Sequence, residues 1–260
     1  MTRRLFAALV AAALLALPGL SASAQDAPLR WGYNAAPFPP FTSKSASGQW
    51  TGFDVDVMNA LCRQMQARCS IVEVAWDGII PALQAGKIDI IWSGMSMTAE
   101  RDKVVDFTDR YRRGPAAFLA DKTDPLKVTM DGLKGKVVGV QKATNFQRYL
   151  EHYYGSSAQV KLYDSLDDAT ADLAAGRIDV VMGDILQLKL FMATPAGQGF
   201  DIKAITPVDP LLGRGAGAGV RKGDDALRLR LNAAIKAIRA SGEYDTIAKR
   251  YFDFDPYGAG

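Results

Sequence analysis

The sequence predicts an α/β protein built from two similar lobes, each a mainly parallel sheet flanked by helices. Two observations carry this. Residues 83–94 read LQAGKIDIIWSG and residues 173–184 read LAAGRIDVVMGD. Each holds the tail of a helix, a Gly, one basic residue, Ile-Asp, and an apolar strand ending on small or polar residues. A single self-similar pair ninety residues apart points to two related lobes rather than a solenoid, which needs at least three copies. The second observation is that strand–turn–helix–strand–helix–strand occurs twice along the chain. Such alternation implies parallel sheets covered by helices.

Residues 29–33 (LRWGY) read as a short strand, followed by a Pro-rich turn at 34–41 and a polar loop at 43–48. Residues 52–66 place Phe53, Val57, Met58 and Leu61 at helical spacing. A strand is expected at 70–74, a helix at 79–85, and a strand at 87–92. Thr98 then opens another helix as its N-cap, with Arg101 in the first turn. The apolar strand at 116–120 restarts the pattern: strand 136–140, helix 145–153, strand 160–163, helix 166–175, strand 178–182. Residues 211–220, rich in Gly, read as a strand crossing back between the lobes, and 225–240 and 243–251 as terminal helices. The run GRGAGAG at 213–219 lacks the placement in a βαβ unit that a dinucleotide loop requires, so it reads as a connecting segment.

The N-terminus reads as a secretory signal peptide over residues 1–24. Arg3 and Arg4 form the basic head, 5–17 is an apolar run of thirteen residues, and Ala22-Ser23-Ala24 is an A-x-A cleavage site. Thirteen residues are too few to span a bilayer. The chain beyond it has 236 residues, and its formal charge falls from +3 to +1 once Arg3 and Arg4 are removed. Neither nucleic acid nor an anionic membrane is an electrostatically favoured partner at that charge. Domains are expected at 25–117 (first lobe), 118–211 (second lobe) and 212–260 (return to the first lobe and terminal helices). Two cysteines in a secreted chain, Cys62 and Cys69, favour a disulfide that ties a helix end to the next strand. A metal site is not expected, because the chain has one His, His152, and no clustered thiols. No cofactor is expected.

In open α/β sheets, ligands bind beyond the carboxyl ends of the strands. Three such ends stand out. The first runs from Trp92 through Ser93, Gly94 and Ser96 to Arg101. A guanidinium there is either a solvated surface charge or an anion site matched to a carboxylate. The second ends on Asp184, either a helix cap or an acceptor for an ammonium. The third is the turn from Gln141 to Asn145, whose N–H groups at a helix N-terminus suit a carboxylate. Phe38 and Trp76 lie in turns at strand ends, where they either pack under a loop or flank a ligand side chain.

From LRWG at Leu29 to KRYFDFDPYG ending at Gly258, the chain resembles the periplasmic amino-acid-binding proteins of ABC importers. It is most similar to the lysine/arginine/ornithine- and histidine-binding group and the related opine-binding proteins. The motifs that carry the resemblance are GFDVD at Gly52, ALC with a second Cys seven residues on, WDGIIPAL at Trp76, WSGMSMTAER at Trp92, LKGKVVGV at Leu133 and AAGRIDVVMGD at Ala174. The resemblance implies two lobes joined by a two-segment hinge that close on one amino acid. It implies that Arg101 grips the α-carboxylate, with help from Ser96 and the Asn145 turn. Asp184 takes the α-ammonium with Ser93, and Phe38 and Trp76 flank the ligand side chain with Gln141 nearby. It also implies a monomer in the periplasm that delivers its ligand to a membrane permease.

Three departures bear on the ligand. The first turn is one residue longer than usual, Asn34 stands where the basic-amino-acid binders carry Asp, and Gly94 and Asn145 replace the commoner Ser and Thr. The expected ligand is a basic or polar amino acid such as arginine, lysine, ornithine or histidine. A neutral polar amino acid or an opine is the alternative favoured by the missing carboxylate. A dehydratase-type enzyme on the same scaffold is a further class, but the sequence offers no nucleophile–base pair, so catalytic residues are not expected. A ligand sensor that docks on a membrane receptor would use the same ligand chemistry.

Overall fold

The computed structural model describes residues 27–258. The expected signal peptide at 1–24 lies outside the described residues. Among the described residues no helix is long and apolar enough to cross a membrane.

Among the described residues twelve strands and seven α-helices follow in chain order. The first half runs β1 (Leu29–Asn34), β2 (Ser43–Lys44), β3 (Trp50–Thr51), α1 (Phe53–Gln64), β4 (Cys69–Val74), α2 (Ile79–Gln84), β5 (Ile90–Ile91) and β6 (Val105–Arg112). The second runs β7 (Ala116–Asp121), β8 (Val137–Gln141), α3 (Asn145–Tyr154), β9 (Gln159–Tyr163), α4 (Leu166–Ala174), β10 (Val180–Asp184), α5 (Ile185–Met192) and β11 (Phe200–Ile205). The chain ends with β12 (Ala216–Arg221), α6 (Asp225–Ala240) and α7 (Glu243–Ala248).

These strands form two five-stranded sheets. One has the order β4-β1-β5-β12-β6. The other has the order β11-β7-β10-β8-β9, which from its far edge reads β9-β8-β10-β7-β11. The two orders correspond position by position. In each, three parallel strands lie side by side and the fourth position is antiparallel to its neighbours. The paired segments read from sequence deliver β5 and β10, the third strand of each sheet. Each antiparallel strand is contributed by the segment that has just crossed from the other sheet: β7 after residues 113–115, β12 after 206–215. The expected lobe boundary at 117/118 therefore falls inside β7.

Apolar residues cover both faces of each sheet. Trp31, Leu61, Ile235 and Phe252 belong to the cluster under α1, α6 and α7, and Ile79, Leu83 and Ile91 to the one under α2. In the second sheet Val138 and Met182 pack in one cluster with Leu150 of α3, and Leu119 in another with Leu173 of α4 and Leu188 of α5. Such two-sided burial is why these strands read as near-continuous apolar runs. Thr144, Ser165 and Asp184 cap α3, α4 and α5, each side chain accepting from the backbone N–H of Gln147, Asp168 or Leu186.

Five elements escape the sequence pattern. β6 carries Asp106, Asp109, Arg110 and Arg112 among its eight residues, which masks its strand period. α5 (ILQLKLFM) is apolar nearly all round, and β11 and the β2–β3 pair are short or weakly buried. The helix expected from Thr98 is a single 3₁₀ turn at Arg101–Lys103 preceded by Glu100. Thr98 Oγ1 accepts from the Arg101 N–H at 3.3 Å. The β-branched pair Val104-Val105 then leads straight into β6, where branching favours strand over helix.

Cys62 in α1 and Cys69 at the start of β4 form a disulfide across seven positions. Closing a loop of this length stabilises by about 2.5 kcal/mol in the chain-entropy model. Replacing both with Ala should lower the melting temperature by roughly 5–10 °C. Because the bridge lies away from the cleft, ligand affinity should not change. A calorimetric melt with a parallel titration checks both.

Candidate functional site

The parallel strands of both sheets end toward a common cavity of about 730 Å³. The turns after β1, β4, β5, β8 and β10 supply its walls. All ten residues singled out from sequence line it: Asn34, Phe38, Trp76, Ser93, Gly94, Ser96, Arg101, Gln141, Asn145 and Asp184.

Arg101 is 3% exposed. Its Nη1 donates to the Ser96 carbonyl at 3.0 Å, and its Nη2 to the Ala143 carbonyl at 3.2 Å. Ala143 belongs to the turn that opens α3, where it adopts a positive φ of 57°. Among the described residues no carboxylate lies within 4 Å of this guanidinium. Burial lowers its pKa to about 10. The indole of Trp76 lies 5.4 Å from the guanidinium carbon and donates from Nε1 to the same Ala143 carbonyl at 3.2 Å. Trp76 thus holds Arg101 and joins the two sides of the cleft. Lys142 adds a bridge to Asp77 at 2.9 Å.

Asp184 ends β10 and is 4% exposed. Its Oδ1 accepts from the Leu186 N–H at 2.9 Å, so the capping reading holds. Its Oδ2 faces the Arg112 Nη1 at 3.6 Å. Burial pushes its pKa up, against the pull of Arg112 and of the Leu186 and Gln187 N–H groups. Ser93 Oγ accepts from the Asn34 N–H at 3.1 Å, and Asn34 Oδ1 from the Ala36 N–H at 3.4 Å. Phe38 stacks on Phe41 with ring centres 4.9 Å apart. Two amides are engaged by backbone: Gln141 Nε2 donates to the Asp164 carbonyl and Asn145 Nδ2 to the Leu212 carbonyl.

Sequence reasoning missed Arg112 and Asp54. Arg112, the last residue of β6, is 2% exposed and lines the cavity. Asp54 is fully buried behind it, with Oδ1 3.8 Å from Arg112 Nε. Tyr111 donates its hydroxyl to Asp54 Oδ2 at 3.0 Å. The available signal was the run DRYRR at 109–113 just before Gly114-Pro115. It looks like a solvated charge run until β6 is placed inside a sheet.

Burial raises the Asp54 pKa from 3.8 to about 6, although Arg112 and the Tyr111 hydroxyl pull it down. Between roughly pH 4 and 6 the folded protein holds this proton and the unfolded chain has lost it, so Asp54 weakens the fold as pH rises through that window. The full effect is about 3 kcal/mol. Asp54→Asn should therefore gain stability relative to the unmodified protein between pH 4 and pH 7. Thermal melts of both proteins at the two pH values check this; an equal difference at both would contradict it.

The chain is similar to known proteins over nearly its whole length. The family model for bacterial extracellular solute-binding proteins, family 3, matches residues 29–254. The L-arginine-binding protein of Pseudomonas aeruginosa is 42% identical over 255 residues, 97% of this chain and 98% of that protein. The lysine/arginine/ornithine-binding periplasmic protein of Escherichia coli is 38% identical over 224 residues, 85% of this chain and 86% of that one. A solved structure of an ancestral arginine-binding protein bound to arginine superimposes with a TM-score of 0.81 at 33% identity, covering 88% of this chain and 99% of its own. The chain belongs to the family 3 extracellular solute-binding proteins, and its fold is the two-lobe fold of those proteins.

Proposed function

We propose that this family 3 solute-binding protein is an extracytoplasmic receptor that captures a single α-amino acid between its lobes and passes it to an ABC permease. The observation that carries this reading is Arg101: a guanidinium 3% exposed at the cavity wall whose hydrogen bonds run to two carbonyls and to no carboxylate among the described residues. A buried cation without a counter-anion is costly. A ligand carboxylate would relieve that cost and accept a bidentate pair of N–H bonds. Asp184, also buried, ends the corresponding strand of the other sheet and supplies the acceptor for an ammonium. A carboxylate and an ammonium on one small molecule make an amino acid.

Ser93 and Ser96 support the ammonium and carboxylate in this reading, and Phe38, Asn34 and Gln141 bound the side-chain space. The lobes move about the two crossings at 113–115 and 206–215. In the second, Gly215 holds a φ of +107°, and its carbonyl accepts from the Met97 N–H at 2.8 Å. The protein acts as a monomer in the periplasm, exported by the segment at 1–24. It binds its ligand without transforming it, a reading supported by relatives that are named as binding proteins. Titration calorimetry against the common L-amino acids tests the proposal. Saturable one-to-one binding of at least one is expected; heat from none of them would overturn it.

A further inference from the structure

We propose that Arg112 sets the ligand class: the cleft selects an α-amino acid that carries a second carboxylate, and the Arg112 guanidinium receives it. This rests on the amino-acid reading above and goes beyond it.

Arg112 is built into the cleft. Its guanidinium carbon lies 3.6 Å from the centre of the Phe41 ring and 5.6 Å from that of Phe38, so aromatic faces support it. Its Nη2 occupies the space in front of residue 94: a Cβ there would sit 2.1 Å from it. Gly94 also has a φ of +65°. The Gly at 94 and the Arg at 112 therefore belong together, and a Ser at 94 would displace the guanidinium.

The donors of Arg112 are not used up inside the protein. Its approaches to Asp184 and Asp54, 3.6 and 3.8 Å, are ion-pair distances beyond the ~2.7–2.9 Å of a charge-assisted hydrogen bond. Its Nε is enclosed on the Asp54 side; the outward donors are Nη1, facing Asp184, and Nη2, in front of residue 94. A side chain this enclosed with unfilled donors calls for an acceptor from the cavity side.

The surrounding charge has the same sense. Five arginines line the cavity (Arg101, Arg110, Arg112, Arg113 and Arg214) against two aspartates, Asp184 and Asp209. Arg214 is neutralised by Asp102 through contacts of 2.7 and 3.0 Å. Among the described residues no carboxylate lies within 4 Å of the guanidinium of Arg110 or Arg113. Asp209 already accepts from the Tyr153 hydroxyl and the Leu211 N–H. A ligand that set an ammonium or guanidinium against Arg112 would bring like charge to it with no free carboxylate to receive it. A second ligand carboxylate meets the opposite situation.

That carboxylate has two possible sources: the side chain of an acidic amino acid, or an N-carboxyalkyl group on another amino acid. Calorimetry on the exported form of the chain separates them with matched pairs, L-glutamate against L-glutamine and N-(carboxyethyl)arginine against L-arginine. At least one dicarboxylic ligand should bind ten times or more tighter than its partner in the pair. In Arg112→Gln that ratio should collapse to within a few-fold, and Arg112→Lys should restore part of it. The ratio within each protein is the readout, so a change in overall stability does not mimic the effect. Preference for L-arginine or L-lysine over both dicarboxylic ligands would overturn the proposal, as would an unchanged ratio in Arg112→Gln. Absence of binding by any of the four ligands and by the common amino acids would instead overturn the underlying amino-acid reading, and this proposal with it.

Discussion

Arg101→Ala is expected to weaken amino-acid binding by about 3–5 kcal/mol, a hundredfold to several-thousandfold in Kd. The size follows from burial. With the guanidinium gone, the ligand carboxylate enters a site that excludes water and offers it no counter-charge. The same logic predicts the unliganded protein: a buried guanidinium with a pKa lowered to about 10 is under desolvation cost, so its removal should leave the melting temperature unchanged or raise it. The Ala143 carbonyl keeps a donor in Trp76 Nε1 at 3.2 Å. Arg101→Lys keeps the charge and loses the planar fork, so it should fall between the two. Calorimetry with thermal melts separates lost affinity from lost structure.

Asp184→Asn should weaken binding by about a hundredfold at pH 7, within the range for breaking a buried hydrogen-bonded charge pair. Two roles of Asp184 come apart in this variant. Asn caps helices as well as Asp does, so the bond to the Leu186 N–H and helix α5 should persist. The charge that balances a ligand ammonium, and part of that facing Arg112, is lost. Asp184→Ala removes the cap as well and should cost about a further 1 kcal/mol of stability. Equal affinity in Asp184→Asn and the unmodified protein, by titration at pH 7, would remove Asp184 from the site.

Much of this arrangement was legible in the sequence because it is local. The paired segments at 83–94 and 173–184 carry both the strands and their ends, and the strand ends are where the cleft lies. β5 and β10 occupy the same position in the two sheets, and the residues they lead to, Ser93 and Asp184, both line the cavity. Turn residues such as Asn34, Phe38 and Gln141 could be named because a turn after a parallel strand has one place to go.

What could not be read is non-local. Arg112 looks like one charge in a polar run. Its burial depends on Phe41 from the first turn, Asp54 from α1 and Asp184 from the other sheet, separated by up to 143 residues (184 − 41). Trp76 was expected either to pack under a loop or to flank the ligand; it lines the cavity, and its ring also lies over Arg101, a partner reached only once Thr98 closes a single 3₁₀ turn. The extra strand position in each sheet was hidden for a related reason. β7 and β12 pair with strands far away in the chain, and no local pattern records which sheet they join.

The measurement that bears most directly on the central claim uses one amino acid that binds tightly and two of its analogues, the decarboxylated amine and the deaminated acid. Each is titrated into the protein at pH 7. If Arg101 holds the carboxylate and Asp184 the ammonium, both analogues should bind at least a hundredfold more weakly, and Arg101→Ala should lower affinity for the parent far more than for the amine. Parent-like affinity of either analogue would contradict the paired grip.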